Sequence, residues 1–273
     1  MFIQDRNFGC EFEFSTIYHD FLPIVKPIIK EIYGEGCLKY SEKWYESTNN
    51  FNQWHLKIDN STESELCTPV SKLKDIDNIT SVLEKTGENK NIKITKNDSF
   101  HVHVDVKDIE REAILVLWMR YEKVIFSLFP SHRRNHNRYC EKSIHKEKTN
   151  KNISEYLQEA IENTKDHHSA ISFYFYKHKE INALSSKRNT VEFRLGEGTT
   201  NSVFIKNWVI FLLFFIDSCK NLEIKDVVDI MCDKRFDNSD DSFNIMMKEI
   251  QIRDKELKKW ILSRRKEMSN ISK

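Results

Sequence analysis

Glycine and proline are scarce in this chain, 6 and 4 among 273 residues. Turn punctuation is therefore sparse, and no Pro-rich, Gly-rich or repetitive tract interrupts the pattern. The six cysteines (10, 37, 67, 140, 219 and 232) form no CxxC pair. That spacing argues against a zinc knuckle or a disulfide frame, and reads as reduced packing residues in a cytoplasmic protein. Long apolar runs are missing as well. The longest, Trp208 to Ile216, is stopped by Asp217, far short of the roughly 20 residues that a membrane-spanning helix needs. The first residues, MFIQDRNFGCEFEF, lack a basic region followed by an apolar one, so no secretory leader is expected. A dominant charge is absent too: 43 Lys and Arg against 42 Asp and Glu leave +1. This excludes a histone-like or polybasic membrane-binding protein and gives no reason to expect a nucleic-acid partner.

What is present can build a core. Hydrophobic residues make up 39%, with 18 Phe, 9 Tyr and 5 Trp. Apolar periodicity predicts strands over 7–15, 52–59, 63–68, 99–106 and 189–195. It predicts helices over 18–33, 71–86 (opened by Ser71), 108–129 (with Asp108 as N-cap), 153–165, 201–220 and 240–264. Strands and helices alternate in groups, so the expected class is α+β. Between Ser131 and Lys151, Arg133, Arg134, Arg138, Lys142, Lys146, Lys148 and Lys151 face only Glu141 and Glu147. This segment reads either as a solvated loop or as a grip on a phosphorylated ligand.

The informative feature is alternation, because every second side chain of a strand shares a face. In FGCEFEFS, Phe8, Cys10, Phe12 and Phe14 oppose Glu11 and Glu13. In SFHVHVDV, Phe100, Val102, Val104 and Val106 oppose Ser99, His101, His103 and Asp105. TVEFRL sets Val191, Phe193 and Leu195 against Glu192 and Arg194; WHLKID sets Trp54, Leu56 and Ile58 against His55, Lys57 and Asp59; and ESELCT puts Glu63 and Glu65 on one face. A half-buried antiparallel strand ordinarily has one wet face. The residue types here are less ordinary, since neighbouring carboxylates repel unless a cation lies between them. Glu11, Glu13, Glu65 and Glu192 with one or two histidines form a mostly hard-oxygen set, suited to Mg²⁺ or Mn²⁺ rather than zinc. Arg194 beside them suits an anion such as phosphate. The rival reading of HVHVD is a zinc hydrolase of the HxHxDH type. Val106 stands where that motif has its last His, and the alternation continues through it.

Taken in order, FGCEFEF (8–14), WHLKIDNSTESELCTPV (54–70), SFHVHVD (99–105), FPSHRRNHNRYC (129–140) and NTVEFRLGEGT (189–199) resemble the amidoligase family. That family is related to the carboxylate–amine ligases of the glutamine synthetase and γ-glutamylcysteine ligase superfamily. The resemblance spans roughly the first 220 residues. Gly9, Glu11 and Glu13 match its Gly-x-Glu-x-Glu strand; Glu65, Leu66 and Pro69 its Glu-Leu-x-x-Pro element; His101 and His103 its His-x-His strand; Glu192 and Arg194 its Glu-Phe-Arg strand. Ser99 and Phe100 depart from the Gly that often precedes His-x-His.

The resemblance implies a curved antiparallel sheet with a concave ATP- and metal-binding face, helices on the other face, and a helical C-terminus. It implies a catalytic domain over 1–225, with 131–188 as a basic lid or insert, followed by a helical extension over 226–273. Glu11, His101 and Glu192 would hold a Mg²⁺ or Mn²⁺ beside the γ-phosphate of ATP, and Glu13 and Glu65 one nearer the acceptor. His103 would contact the nucleotide phosphates, and Arg194 the phosphoryl group in flight. Arg133, Arg134 and Arg138 would grip the nucleotide or an anionic substrate. The implied reaction joins a carboxylate substrate (an amino acid, peptide or protein) to an amine through an acyl phosphate. Asp59, on the strand face of Lys57, is the candidate base for the amine. The alternatives are a catalytically idle relative that binds a nucleotide or peptide, and the zinc-dependent hydrolase. Substrate selection is expected in the loops 34–50 and 131–188.

Overall fold

The computed structural model describes residues 3–42, 51–58, 62–134, 170–174, 190–222 and 239–271. They divide into two compact units: Met1–His103 with Gly196–Ile210, and Val104–Leu195 with Phe211–Lys273. Asp59, Arg138 and the helix expected over 153–165 lie outside the described residues. Among the described residues, no helix is long and apolar enough to cross a membrane.

The first unit is a sheet with helices on its apolar face. Its strands are β1 (Phe8–Phe14), β2 (Leu38–Ser41), β3 (Trp54–Lys57), β4 (Ser64–Cys67) and the first part of β5 (Ser99–Asp105), in the order β2-β3-β4-β1-β5. β4 pairs antiparallel with both β3 and β1. The alternation expected from sequence is realised in the register. Leu56, Leu66 and Phe12 line up across three strands, as do Lys57, Glu65 and Glu13 one step on. The apolar row is sealed by helix α1 (Tyr18–Tyr33), whose Phe21 packs on Phe14 at 4.5 Å and whose Tyr33 meets Trp54 edge-on at 5.6 Å. The end of β7 (Thr190–Glu197) returns to this unit at Gly196. A Cβ there would stand 2.2 Å from the carbonyl oxygen of Phe100, so only glycine allows the two backbones to approach this closely.

Two features differ from the sequence expectation, one in the sheet and one in a helix start. β2, which the periodicity does not predict, pairs parallel with β3. The segment 42–53 that joins them is long enough for such a return. LKYS is a short, half-exposed edge strand with no apolar run to announce it. Helix α2 (Ile76–Gly87) starts later than expected, after a tight turn at Leu73–Asp75 in which the Asp75 carboxylate accepts the Lys72 N–H at 2.9 Å. Ser71, expected to open this helix, instead exchanges two backbone hydrogen bonds with Phe8.

The second unit centres on helix α3 (Arg111–Phe126). Its Trp118 packs against Phe193 of β7 at 5.4 Å and Phe215 of α5 at 5.8 Å; α4 is the single turn Ser131–Arg134 and α5 spans Ser202–Ser218. β6 (Ile171–Tyr174), which is not among the strands expected from sequence, pairs antiparallel with β7. Asp108 does not cap α3: it is ion-paired with Lys220 at 2.7 Å, and Glu110 precedes the helix. The helix expected over 240–264 is two, α6 (Asp240–Glu249) and α7 (Lys255–Ile271). Gln251 at φ 54 breaks them, and Ser239 and Asp254 cap their starts.

The join of α6 to α3 is polar. Arg120 donates to Glu249 at 2.6 Å, and the Tyr121 hydroxyl donates to the other carboxylate oxygen. Burial, then this carboxylate, raises the Tyr121 pKa. Glu249→Ala leaves two donors without their acceptor and is expected to cost about 2 kcal/mol in urea unfolding, with Glu249→Gln costing less. Equal midpoints for the alanine variant and wild type would show that the join contributes nothing.

Candidate active site

The polar face of the first unit gathers five of the eleven residues singled out by sequence. β1 supplies Glu11 and Glu13, β4 supplies Glu65, and β5 supplies His101 and His103. Pleat alternation alone puts them on one side, and register brings them together. Glu13 stands directly across from Glu65, and Glu11 directly across from Cys67. His101 reaches both carboxylates of β1, with Nδ1 3.7 Å from Glu11 and Nε2 3.8 Å from Glu13. His103 Nε2 lies 3.2 Å from Glu11. The face is far from a solvated one, with His101 at 3%, Glu65 at 5% and Glu13 at 7% exposure.

Burying carboxylates together leaves a clear electrostatic signature. At Glu11, burial favours the protonated form, but the His103 charge, hydrogen bonds from both histidines and Lys57 outweigh it and hold the carboxyl well below its usual range. At Glu65 the balance reverses: burial and then the Glu11 charge push it up to about 7, against the Lys57 ammonium 2.8 Å away. A like-charged pair such as Glu13 and Glu65, set opposite each other on neighbouring strands, is destabilising unless positive charge compensates it. The chemistry of the donor set therefore suits a divalent cation. Within this unit, Glu11, Glu65 and Cys67 each offer a ligand atom, all within 4.8 Å of one another.

The second unit carries the remaining described candidates. Glu192 is fully buried on β7, and Arg194 holds its Oε1 at 2.8 Å. Arg133 is 1% exposed, and its guanidinium donates to the backbone carbonyls of Arg194 at 2.5 Å and Leu195 at 3.3 Å. In this structure it braces the strand that carries Arg194. Arg134, beside it, is half-buried.

A family profile described as "Putative amidoligase enzyme" matches residues 4–216. The chain belongs to the amidoligase family. Among curated proteins there is no match. Among solved structures, this chain is similar to the complex between Prokaryotic Ubiquitin-like Protein Pup and its Ligase PafA, with 11% identity, a TM-score of 0.36, and coverage of 85% of this chain and 52% of that one. It is also similar to a bifunctional glutathione synthetase from Pasteurella multocida, with 12% identity, a TM-score of 0.43, and coverage of 98% of this chain and 47% of that one. The chain thus spans about half the length of these two proteins.

Three neighbours of the carboxylates carry no role that the sequence alone suggests. Lys57 is ion-paired with Glu65, Cys67 donates to the same Glu65 oxygen at 3.1 Å, and His55 stands across from Cys67 on β3. A signal for one of them exists: Cys67 shares parity with Glu63 and Glu65 in ESELCT, so a cysteine that reads as packing belongs to the polar row.

Proposed function

We propose that this amidoligase is an ATP- and Mg²⁺-dependent (or Mn²⁺-dependent) ligase that joins a carboxylate to an amine through an acyl phosphate. The observation that carries the reading is the polar row of β1, β4 and β5, where Glu11, Glu13, Glu65, His101 and His103 converge from three strands. Family membership supplies the reaction class.

A free carboxylate is a poor acyl donor because oxide is a poor leaving group. Phosphorylation by ATP converts that oxygen into phosphate, and the amine then displaces it to leave an amide. ATP with its divalent ions, when bound, supplies the phosphoryl group and neutralises its charge. Glu11, His101 and Glu192 would hold one ion, and Glu13 and Glu65 a second nearer the acceptor. His101, lodged between Glu11 and Glu13, keeps the two β1 carboxylates oriented. His103 would donate to the nucleotide phosphates. Arg194, aligned by its ion pair with Glu192 and by the Arg133 brace under its backbone, would stabilise the phosphoryl group in transfer. Asp59 would take the amine proton, and Arg134 and Arg138 would grip the anionic partner. The carboxylate belongs to an amino acid, peptide or protein.

The test is calorimetry of ATP with and without Mg²⁺ on wild type, Glu11→Gln and Glu192→Gln. Micromolar ATP binding that requires Mg²⁺ is expected in wild type, with each variant at least about tenfold weaker. Absence of ATP binding in wild type, with zinc retained through purification, would replace this reading with a hydrolase.

A further inference from the structure

We propose that the exposed face of α7 is a docking surface for an acidic segment of a partner protein, one that carries an apolar residue among its carboxylates. The inference goes beyond the ligase reading and does not depend on it.

The two sides of α7 are sharply different. Leu257, Ile261 and Met268 are buried, and on their side Arg264 donates to the Leu128 carbonyl at 3.0 Å. Opposite them, at i, i+4, i+7 and i+11, stand Lys255, Lys259, Leu262 and Lys266, with Lys258 alongside, all exposed. The helix holds six cations against two carboxylates, in a chain whose overall charge is +1. Its two arginines are engaged within the fold, Arg264 with Leu128 and Arg265 with Asp240 at 2.7 Å. Among the described residues, none of the four lysine ammonium groups is ion-paired.

The lysines also stand against the electrostatics of their own helix. Lys255 opens α7, and Lys258 and Lys259 follow directly, at the positive end where cations are disfavoured. Lys255 meets Lys258 at i, i+3 and Lys259 at i, i+4, and like charges at these spacings destabilise a helix. A face that only meets water has no reason to keep this pattern, whereas carboxylates from a partner offset both costs. Leu262, 54% exposed between Lys258, Lys259 and Lys266, is the apolar contact within the charged stripe. One leucine is too narrow an apolar face for lipid. The stripe also lacks the arginine forks and aromatic rings that suit nucleic acid. α6 and α7 lie beyond residues 4–216, so this surface is an addition to the part of the chain that matches the family.

The probe is a fluorescein-labelled peptide of glutamates with a leucine at each helical turn, titrated with the full chain and read by anisotropy. A second peptide has serine for each leucine. Wild type should bind the leucine peptide saturably, and more weakly as salt rises. The double variant Lys258→Glu with Lys259→Glu should bind it at least about tenfold more weakly. That variant should melt no lower than wild type, because glutamate suits the start of a helix. Leu262→Ser should bind the leucine peptide at least about threefold more weakly and the serine peptide as wild type does. Absence of saturable binding in wild type, or equal affinity in the charge-reversed variant, overturns the surface. Equal changes for the two peptides in Leu262→Ser overturn the apolar contact. A charge-reversed variant that melts lower gives the lysines a structural role and overturns the reading. Tighter binding to phosphatidylcholine–phosphatidylserine vesicles or to a DNA duplex than to the leucine peptide overturns the protein partner.

Discussion

Phe100→Ala is expected to cost about 3–5 kcal/mol of stability. Phe100 is fully buried, stacks on Phe12 with ring centroids 4.7 Å apart and planes 5° from parallel, and meets Phe204 edge-on at 6.5 Å. Its carbonyl also lies under Gly196, where there is no room for even a Cβ. A cavity here cannot be refilled cheaply, because both the aromatic face and the backbone approach are fixed. The consequence reaches the site through the backbone. Phe100 and His101 are consecutive residues on opposite faces of β5, so loosening one loosens the aim of the other. Urea unfolding should show the loss, and cation binding through His101 should weaken with it. Phe100→Leu keeps most of the volume and should lose clearly less. An alanine variant within about 1 kcal/mol of wild type would show that the Phe12–Phe100 stack is not a main support of this sheet.

The apolar row that carries this stack is legible in the sequence, and so is the carboxylate face behind it. Both follow from a period of two, which FGCEFEF and SFHVHVD display without interruption. Register is less legible. Alternation says that Glu13 and Glu65 each point to the polar side, but only the pairing of β1 with β4 sets them opposite each other. Cys67 is easily passed over when residue type is weighed ahead of parity, and its place beside Glu11 depends on that same pairing. β2 and β6 are hidden for a different reason. Each is four residues long; LKYS has no apolar run, whereas ISFY carries a strand-prone aromatic signal that is short and flanked by charged residues. The break between α6 and α7 is hidden as well, since the sequence carries no Gly or Pro there and the left-handed turn falls on Gln251. Arg133 shows the limit of charge counting. In sequence it is one of seven cations in a basic segment, while in the fold it is buried and donates to β7 carbonyls. Composition cannot separate a residue that holds a ligand from one that holds a strand.

Glu65 provides the sharpest electrostatic test. Its folded carboxyl, pushed up to about 7 by burial and then by the Glu11 charge, lies above its ordinary value of 4.5. The folded state therefore keeps this proton at a pH where the unfolded chain has released it. Its contribution to stability is fully present below the unfolded value and is lost as pH rises through the folded one. At about 1.36 kcal/mol per unit, the loss over that window is about 3 kcal/mol in the metal-free protein. Lys57, kept protonated by Cys67, Glu65 and Glu11 against its own burial, limits the loss but does not remove it. Glu65→Gln carries no titrating proton at this position, and the other titrating groups stay in both proteins. Urea unfolding at about pH 5 and about pH 8 should therefore show wild type falling relative to the variant by about 2–3 kcal/mol across the interval, the rest of the loss lying below pH 5. Parallel pH profiles would mean that Glu65 titrates normally and that the carboxylate face is better hydrated than its burial indicates. Addition of a divalent cation should recover the wild type at the higher pH and leave Glu65→Gln with much less gain. The ionised carboxylate that destabilises the metal-free sheet is the one a cation needs, so the stability lost on deprotonation becomes part of the drive for binding.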